Sequence, residues 1–333
     1  MSTIKGTWTK IAHTQQLQRS SHNINVVGKT LYIFGGELKP REPRDNDLHK
    51  LAIDGSASAS VQTIKADTAA PSARVGSASA VIGHTIYFFS GRGGVAMAPV
   101  DEKGAVWALD TPSDTWTLVG AIGTSPVPEA RSYHCMASDG KDTLYIHAGC
   151  PEKGRLGDLW SFSVSQREWK QLASAPGPPR GGTSIAFLDG KIFRMNGFDG
   201  THEVGGSLDS YDIASDSWTT TKFVADGKSG PGARSVAALI PVKVADDAYL
   251  VTPFGESDPS SLGHQGAGMM LSDVWAYSLG KGTWSYVDAG VGPEGRGWFD
   301  ADVATIDGKQ ALVVAGGLGE SNERLDDLWL LRM

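Results

Sequence analysis

Short runs of apolar and β-branched residues alternate with polar, glycine-rich turns along the whole chain. Runs such as SSHNINVV, VGSASAVI and GGTSIAFL each lead into a turn such as VGKT or LDGK. A second β-rich run then follows and ends in glycine, at Gly36, Gly91, Gly149, Gly197, Gly255 and Gly317. Runs of this length and composition, bounded by turn residues, predict β-strands.

An arginine opens each of these repeating units. The six arginines follow Pro- or Gly-rich turns at Arg19, Arg74, Arg131, Arg180, Arg234 and Arg296. A third run, such as DLW or DVW, follows the glycine, and a second tryptophan comes nine residues after Trp107, Trp160 and Trp275. The fourth unit has Asp209 where the earlier tryptophan is expected. Four strands per unit indicate a propeller blade, and the Arg…Gly-Gly…Trp layout is the kelch pattern. The sequence therefore predicts an all-β, six-bladed kelch β-propeller.

The two ends of the chain complement each other in this pattern. The last unit lacks a fourth strand, and the opening stretch GTWTKIA, with Trp8, supplies one. We therefore predict that the N-terminal strand closes the last blade, which removes a free sheet edge. The whole chain is one domain in this interpretation, with blades at 19–73, 74–130, 131–179, 180–233, 234–295, and 296–333 joined by 1–18.

Composition narrows the class of protein. The net charge is −7 with scattered basic residues, which argues against nucleic acid or a membrane as a partner. No apolar run is long enough for a membrane helix, and Met1 to Lys5 leads at once into polar residues, so we expect a cytoplasmic protein. Cys135 and Cys150 are expected to be free thiols. The sequence does not give the oligomeric state.

The blade-opening arginines are the first candidates for a site. They open the innermost strands, so several are expected to face one mouth of the channel, where guanidinium groups could bind a sulfate, phosphate or carboxylate. The alternative is that each arginine is an ordinary kelch residue that hydrogen-bonds the neighbouring blade. His22 and His134 follow two of these arginines in RSSH and RSYH. Because this pattern is common in kelch repeats, we interpret both histidines as structural.

A loop in the fifth unit departs most from the repeat. It reads PFGESDPSSLGHQGAGMMLSDVW and brings Glu256, Asp258 and His264 within nine residues. Two carboxylates and one imidazole are the ligand set of non-haem iron or manganese sites. The alternative is a polar loop in which Asp258 and Pro259 make a turn.

The sequence resembles the plant nitrile-specifier, thiocyanate-forming and epithiospecifier proteins. The similarity is strongest in RSSHNINVVGKTLYIFGGELKPREPRDNDLH, in FGE…GHQGAG and in GRGW. The resemblance implies a Glu-x3-Asp-x3-His site for Fe(II) in the fifth blade. It also implies an activity that directs thiohydroximate sulfates, released from glucosinolates by myrosinase, to nitriles, epithionitriles or thiocyanates.

Residue by residue, the resemblance assigns Glu256 and His264 to the first and third metal positions. Ser260 occupies the middle position, and the nearest carboxylate is Asp258. The sulfate-binding arginines of the family correspond to blade-opening arginines, with Arg74 and Arg131 as candidates. Trp298 corresponds to an aromatic residue of the family's pocket.

Three functions remain open at this point. The first is an Fe(II)-dependent lyase of the specifier type that acts on a small anionic substrate. The second is a non-catalytic kelch module that binds a protein partner through its loops. The third is a related propeller enzyme with a different small substrate, for which the Ser260 substitution is the motivation.

Overall fold

The computed structural model describes residues 2–54, 60–245 and 247–333, and of His264 only the backbone. Within these ranges the secondary structure is β-strand apart from two short 3-10 helices, Gln15–Leu17 and Gly263–Gln265. The prediction of an all-β fold is confirmed. No helix in the described part of the chain is long and apolar enough to cross a bilayer.

Most strands belong to antiparallel sheets that follow one another along the chain, and the described residues form six sheets of at least four strands. The first sheet contains Ser20–Val27, Thr30–Lys39, Leu48–Ala52 and Gln62–Ile64. The second contains Ala78–Ile82, Thr85–Phe89, Val106–Asp110 and Thr115–Val119. The third contains Cys135–Ser138, Thr143–Gly149, Leu156–Ser163 and Glu168–Leu172. Each sheet is built from consecutive strands, as a propeller blade is.

The later sheets keep this order with two additions. The fourth sheet contains Ser184–Leu188, Lys191–Met195, Ser207–Asp212 and Ser217–Lys222. The fifth contains Ile240–Val244, Asp247–Pro253, Val274–Ser278 and Thr283–Asp288, with Ser2–Lys5 added in parallel at its outer edge. The sixth contains Asp300–Ile306, Lys309–Ala315, Asp327–Arg332 and Thr7–His13. Residues 2–13 therefore contribute strands to two sheets, whereas the sequence pattern predicts a strand in one.

The strand Thr7–His13 lies antiparallel to Asp327–Arg332, with Trp8 opposite Leu331. The Trp8 ring stacks on Phe254 of the fifth sheet at 5.7 Å between centroids. This strand therefore joins the sixth sheet by backbone pairing and touches the fifth through its aromatic side chain.

The core is divided into layers, each between neighbouring sheets. In one layer Ile24 of the first sheet packs with Val313 and Leu330 of the sixth. In the fourth sheet, Arg194 and Asp209 form a buried ion pair of 2.6 Å, and Arg194 also lies over the Trp218 ring. A carboxylate at 209 thus balances a buried guanidinium, which explains why this blade lacks its first tryptophan.

Short strands extend the sheets at one end. In the second blade they are Arg74–Val75, Arg92–Gly93 and Ala98–Pro99, and in the first blade Glu42–Pro43 pairs with the long strand before it. In the fifth blade Glu256–Ser257 pairs with Met269–Met270. Arg92–Gly93 and Glu256–Ser257 directly follow the glycine turns of their blades, and Arg92 lines the candidate site.

Candidate ligand-binding site

A ring of backbone hydrogen bonds connects the six blades around the axis. The residue two places after each blade-opening arginine donates its N–H to the carbonyl of its counterpart in the preceding blade, at 2.7–3.1 Å. These residues are Ser21, Gly76, Tyr133, Gly182, Val236 and Trp298. All six have φ between 46° and 60°, in the left-handed region. Equivalent positions of the repeat therefore lie side by side around the axis.

Tyr133 and Trp298 are large residues in a backbone conformation that favours glycine. Holding a non-glycine residue there costs of the order of 1–3 kcal/mol, and such strain is concentrated at functional sites. Both side chains line a cavity of about 170 Å³ and also border the central channel of about 420 Å³. The cavity therefore lies at one mouth of the channel.

The cavity carries positive charge in a protein of net charge −7. Its charged lining residues are Arg41, Arg92, Arg324 and Glu37, and apolar surface comes from Met97, Leu318 and the two aromatic rings. Glu37 forms a buried ion pair with Arg324 at 2.7 Å and accepts a hydrogen bond from the backbone N–H of Arg41 at 2.8 Å. The single carboxylate is thus neutralised, and two guanidinium groups remain in excess.

Arg92 is held in place by neutral groups alone among the described residues. Its Nε donates to Ser132 Oγ at 3.0 Å, its Nη1 to the Met97 carbonyl at 2.9 Å and its Nη2 to the Pro151 carbonyl at 2.9 Å. No carboxylate in the described part of the chain forms a salt bridge with it. The three hydrogen bonds fix the orientation of the guanidinium group without neutralising its charge. A pre-organised anion site has this arrangement.

Tyr133 supplies a protonated phenol to the same cavity. Burial, together with the nearby negative charge of Glu37, raises the pKa of Tyr133 to about 12. The hydroxyl group therefore keeps its proton at every physiological pH. Cys150 also lines the cavity as a free thiol, and burial raises its pKa, so it is a weak nucleophile there.

The structure corrects the role of the blade-opening arginines. Arg74 forms a two-bond ion pair with Glu102, at 2.8 and 3.1 Å, and Arg131 forms one with Asp158, at 2.7 and 2.9 Å. Both arginines are almost fully buried. Arg19, Arg234 and Arg296 are paired with aspartates in the same way. The carboxylates of their own blades occupy these guanidinium groups, so Arg74 and Arg131 are not available to an anionic ligand.

Arg180 is the exception among the six. It hydrogen-bonds the Pro178 and Asn196 carbonyls, and no carboxylate pairs with it in the described residues. Ser207 stands two residues before Asp209, at the position where the third, fifth and sixth blades have the aspartate that pairs with the arginine. Burial and the charge of Arg194 lower the pKa of Arg180 to about 10.

The fifth-blade loop reaches the cavity through Gly266, and the Gln265 carbonyl accepts a hydrogen bond from Asn322. Trp298 lines the same cavity, so two of the predicted elements do lie together. Glu256 is buried, and its Oε1 accepts the Gly268 N–H at 2.8 Å. The structure does not describe the side chain of His264, so its position relative to Glu256 lies outside the described residues.

The carboxylates near this loop repel one another. Burial raises the pKa of Glu256 to about 7, and the neighbouring charge of Glu203, from the fourth blade, acts in the same direction. Glu203 itself has a buried Oε1 without a hydrogen-bond partner, and Asp258 lies close enough to raise its pKa further. Among the side chains that are described, no three ligating groups form a metal site. Carboxylate oxygens are the ligand type that hard divalent cations prefer.

Sequence reasoning missed Arg41, Arg92, Arg324 and Tyr133. One pattern could have identified Arg92: it is the residue directly after the glycine turn of its blade. The equivalent residues are Glu37, Cys150, Phe198, Glu256 and Leu318. These residues occupy equivalent positions in the six blades, but their side chains differ in charge and polarity. Such variation within a regular repeat is typical of residues that form a site.

Comparisons with known proteins define the class. The profile of the KLHDC2/KLHL20/DRC7 Kelch-repeats domain matches residues 21–252, and the chain belongs to this kelch-repeat family. The solved structure of YjhT covers 96% of this chain and 96% of its own length, with a TM-score of 0.72 and 15% identity. The kelch propeller predicted from the repeat is therefore confirmed.

Two relatives show how far the similarity extends. The N-(sulfonatooxy)prop-2-enimidothioate sulfolyase of Thlaspi arvense is 29% identical over 98% of this chain and 97% of its own length. Kelch domain-containing protein 3 of Bos taurus is 26% identical over 62% of this chain, which spans about half of that protein (54%). The similarity to the sulfolyase thus covers nearly the whole of both chains and agrees with the predicted resemblance to specifier proteins.

Proposed function

We propose that this protein is a specifier-type lyase that acts on a small sulfated substrate at the cavity beside Trp298. The observation that carries the proposal is Arg92, a guanidinium group held by three neutral oxygens and facing a cationic cavity. The relative from Thlaspi arvense is named for a sulfated imidothioate, a ligand with one strong anionic group. A cavity of about 170 Å³ suits a ligand of that size, since sites for drug-sized molecules measure ~300–1,000 Å³.

In the proposed reaction the N–O bond of a thiohydroximate O-sulfate breaks and its electron pair leaves with the sulfate. The C–S bonding pair becomes the third bond of the nitrile, and the sulfur is released as elemental sulfur. Negative charge therefore grows on the departing sulfate. Arg92 is positioned to stabilise that charge by a charge-assisted hydrogen bond, and Tyr133, whose phenol stays protonated, lines the same cavity. The Trp298 ring gives the organic part of the substrate an apolar wall.

We retain the proposal that Glu256, Asp258 and His264 bind Fe(II). The crowded carboxylates of Glu256 and Glu203 form no salt bridge in the described residues, and a cation would relieve their repulsion. Ser260 is a poorer ligand than a carboxylate, and its Oγ accepts the Leu262 N–H at 3.2 Å. A bound ferrous ion would supply Lewis-acid or one-electron chemistry next to the anion site.

Two measurements test the proposal. Protein added to a myrosinase–glucosinolate mixture, with and without Fe(II), should raise the nitrile fraction of the products, and Arg92→Ala should abolish the increase. Metal analysis of protein purified without oxygen and reloaded with Fe(II) should show bound iron that Glu256→Gln and His264→Ala lose. An unchanged product distribution would exclude the lyase activity, and iron retained by both variants would exclude the metal assignment.

A further inference from the structure

Met97 lies on the hairpin that follows Arg92 in the second blade. Its backbone N–H bonds the Gly94 carbonyl at 3.2 Å, which closes a tight turn, and its φ is 50°. Val95, at the tip of this turn, is fully exposed, whereas the Met97 side chain is only 4% exposed and lines the cavity. One residue of an otherwise solvent-facing turn is thus folded back into the candidate site at the cost of backbone strain.

Met97 acts on the cavity in two ways at once. Its carbonyl accepts a hydrogen bond from Arg92 Nη1 at 2.9 Å, so its backbone helps to aim the guanidinium group. Its side chain supplies apolar wall close to that charge. Because both contacts come from one residue, the distance between the anionic and the apolar parts of a bound ligand is set locally, within a single turn of the chain.

The chemistry of the side chain suits this position. Methionine is unbranched and flexible, so it fills an irregular gap and leaves little space unoccupied. Met97 lines the cavity of about 170 Å³, so truncation of its side chain would enlarge the empty space beside the charged group. Differences of one methylene in a closed apolar pocket change discrimination between ligands by ~10- to 200-fold.

We propose that Met97 is the specificity-determining residue of the cavity and restricts it to sulfate esters with a short, unbranched organic group. The inference rests on the proposed function for the anion site, but it concerns binding and does not require the lyase reaction. Truncation of Met97 should open the wall to larger groups while the anion contact remains.

The test measures the binding of two unreactive probes, allyl sulfate and 2-phenylethyl sulfate, by titration calorimetry on the intact protein. We expect the wild-type protein to prefer allyl sulfate by about tenfold or more. Met97→Ala should bind 2-phenylethyl sulfate more tightly and allyl sulfate more weakly, so that the preference falls at least tenfold. Met97→Leu, of similar volume, and Val95→Ala, on the same turn but facing solvent, should keep the wild-type preference.

The outcomes separate the inference from the function on which it rests. If Met97→Ala weakens the binding of both probes equally, Met97 acts only by orienting Arg92 through its carbonyl group, and the specificity role is overturned. If it changes neither probe, the wall lies elsewhere, and the inference fails. A reversed preference without nitrile formation would support the inference and refute the lyase. Binding of neither probe by the wild-type protein would refute both.

Discussion

Two arginines of the second blade, Arg74 and Arg92, have opposite surroundings. Arg74 is buried, and its guanidinium group donates two hydrogen bonds to Glu102 and one to the Ser90 carbonyl. Arg92 bonds only neutral oxygens of the described residues and faces a cavity. The repeat contains the first arginine in every blade, whereas the second occupies a place where the blades differ. In this protein the repeated arginine has a structural role, and the arginine that departs from the repeat has no carboxylate partner among the described residues.

The largest effect should follow from removing the repeated arginine. Arg74→Ala leaves the mostly buried Glu102 carboxylate without its partner, and breaking such a pair is strongly destabilising. We expect the free energy of unfolding to fall by about 3 kcal/mol, measured by urea denaturation. The double variant Arg74→Met with Glu102→Gln, which removes both charges, should recover part of the loss. A stability equal to the wild-type value in Arg74→Ala would remove the basis of the comparison.

Arg92→Ala should have the reverse phenotype. The free energy of unfolding should change by less than about 1 kcal/mol, because no buried carboxylate loses a partner. Binding of a small sulfate ester should weaken by about 1.5–3 kcal/mol, the range for hydrogen bonds to charged groups, measured by calorimetry. Arg92→Lys keeps the charge but not the three fixed bonds, and it should show intermediate affinity. If Arg92→Ala unfolds as readily as Arg74→Ala, the two arginines share a structural role.

A smaller effect, on the pH dependence of stability, distinguishes a carboxylate paired with arginine from carboxylates that accept only backbone hydrogen bonds. Asp300 and Asp302, on the inner strand of the sixth blade, accept the Ile24 and Val26 N–H groups at 2.7 Å each. Burial raises their pKa to about 7 and about 6. Although burial also acts on Asp45, the hydrogen bond from His49 and the charge of Arg19 lower the pKa of Asp45 to about 2.

The two groups of carboxylates therefore give opposite pH dependences. Asp300 and Asp302 bind protons more tightly when folded, so their contribution to stability is present at low pH and is lost as the pH rises from ~4 to ~7. The contribution of Asp45 is present above pH ~4 and is lost as the pH falls towards 2. Urea unfolding should show higher stability at pH 5.5 than at pH 8, by about 1 kcal/mol. Asp300→Asn should reduce that difference, and an unchanged difference would show that other groups cause it.

The sequence was sufficient for the fold because the propeller repeats its chemistry. Arginines, glycine turns and tryptophans recur at fixed places, and even the missing tryptophan of the fourth blade has a local cause in the Arg194–Asp209 pair. The strand Ser2–Lys5 was not predicted, because four residues at the edge of a sheet have no pattern of their own.

The site was predicted only in part, for the opposite reason. The fifth-blade loop stood out because it departs from the repeat, and Trp298 was assigned through the resemblance to the specifier proteins. Both border the cavity. Arg92 departs from the repeat too, but one residue after a glycine turn is easily overlooked beside six regular arginines. The partners of Arg74 and Arg131 lie 28 and 27 residues further on, so their neutralisation becomes visible only when the blade is folded.

The pairing of Thr7–His13 with Asp327–Arg332 has a consequence for how the protein is made. Thr7–His13 is synthesised long before its partner strand, while the intervening blades can form in sequence. Contacts between such distant parts of a chain slow folding. Until that last pairing forms, the sixth blade has an unpaired edge open to strands of other molecules. We expect newly made chains to depend on chaperones during this interval.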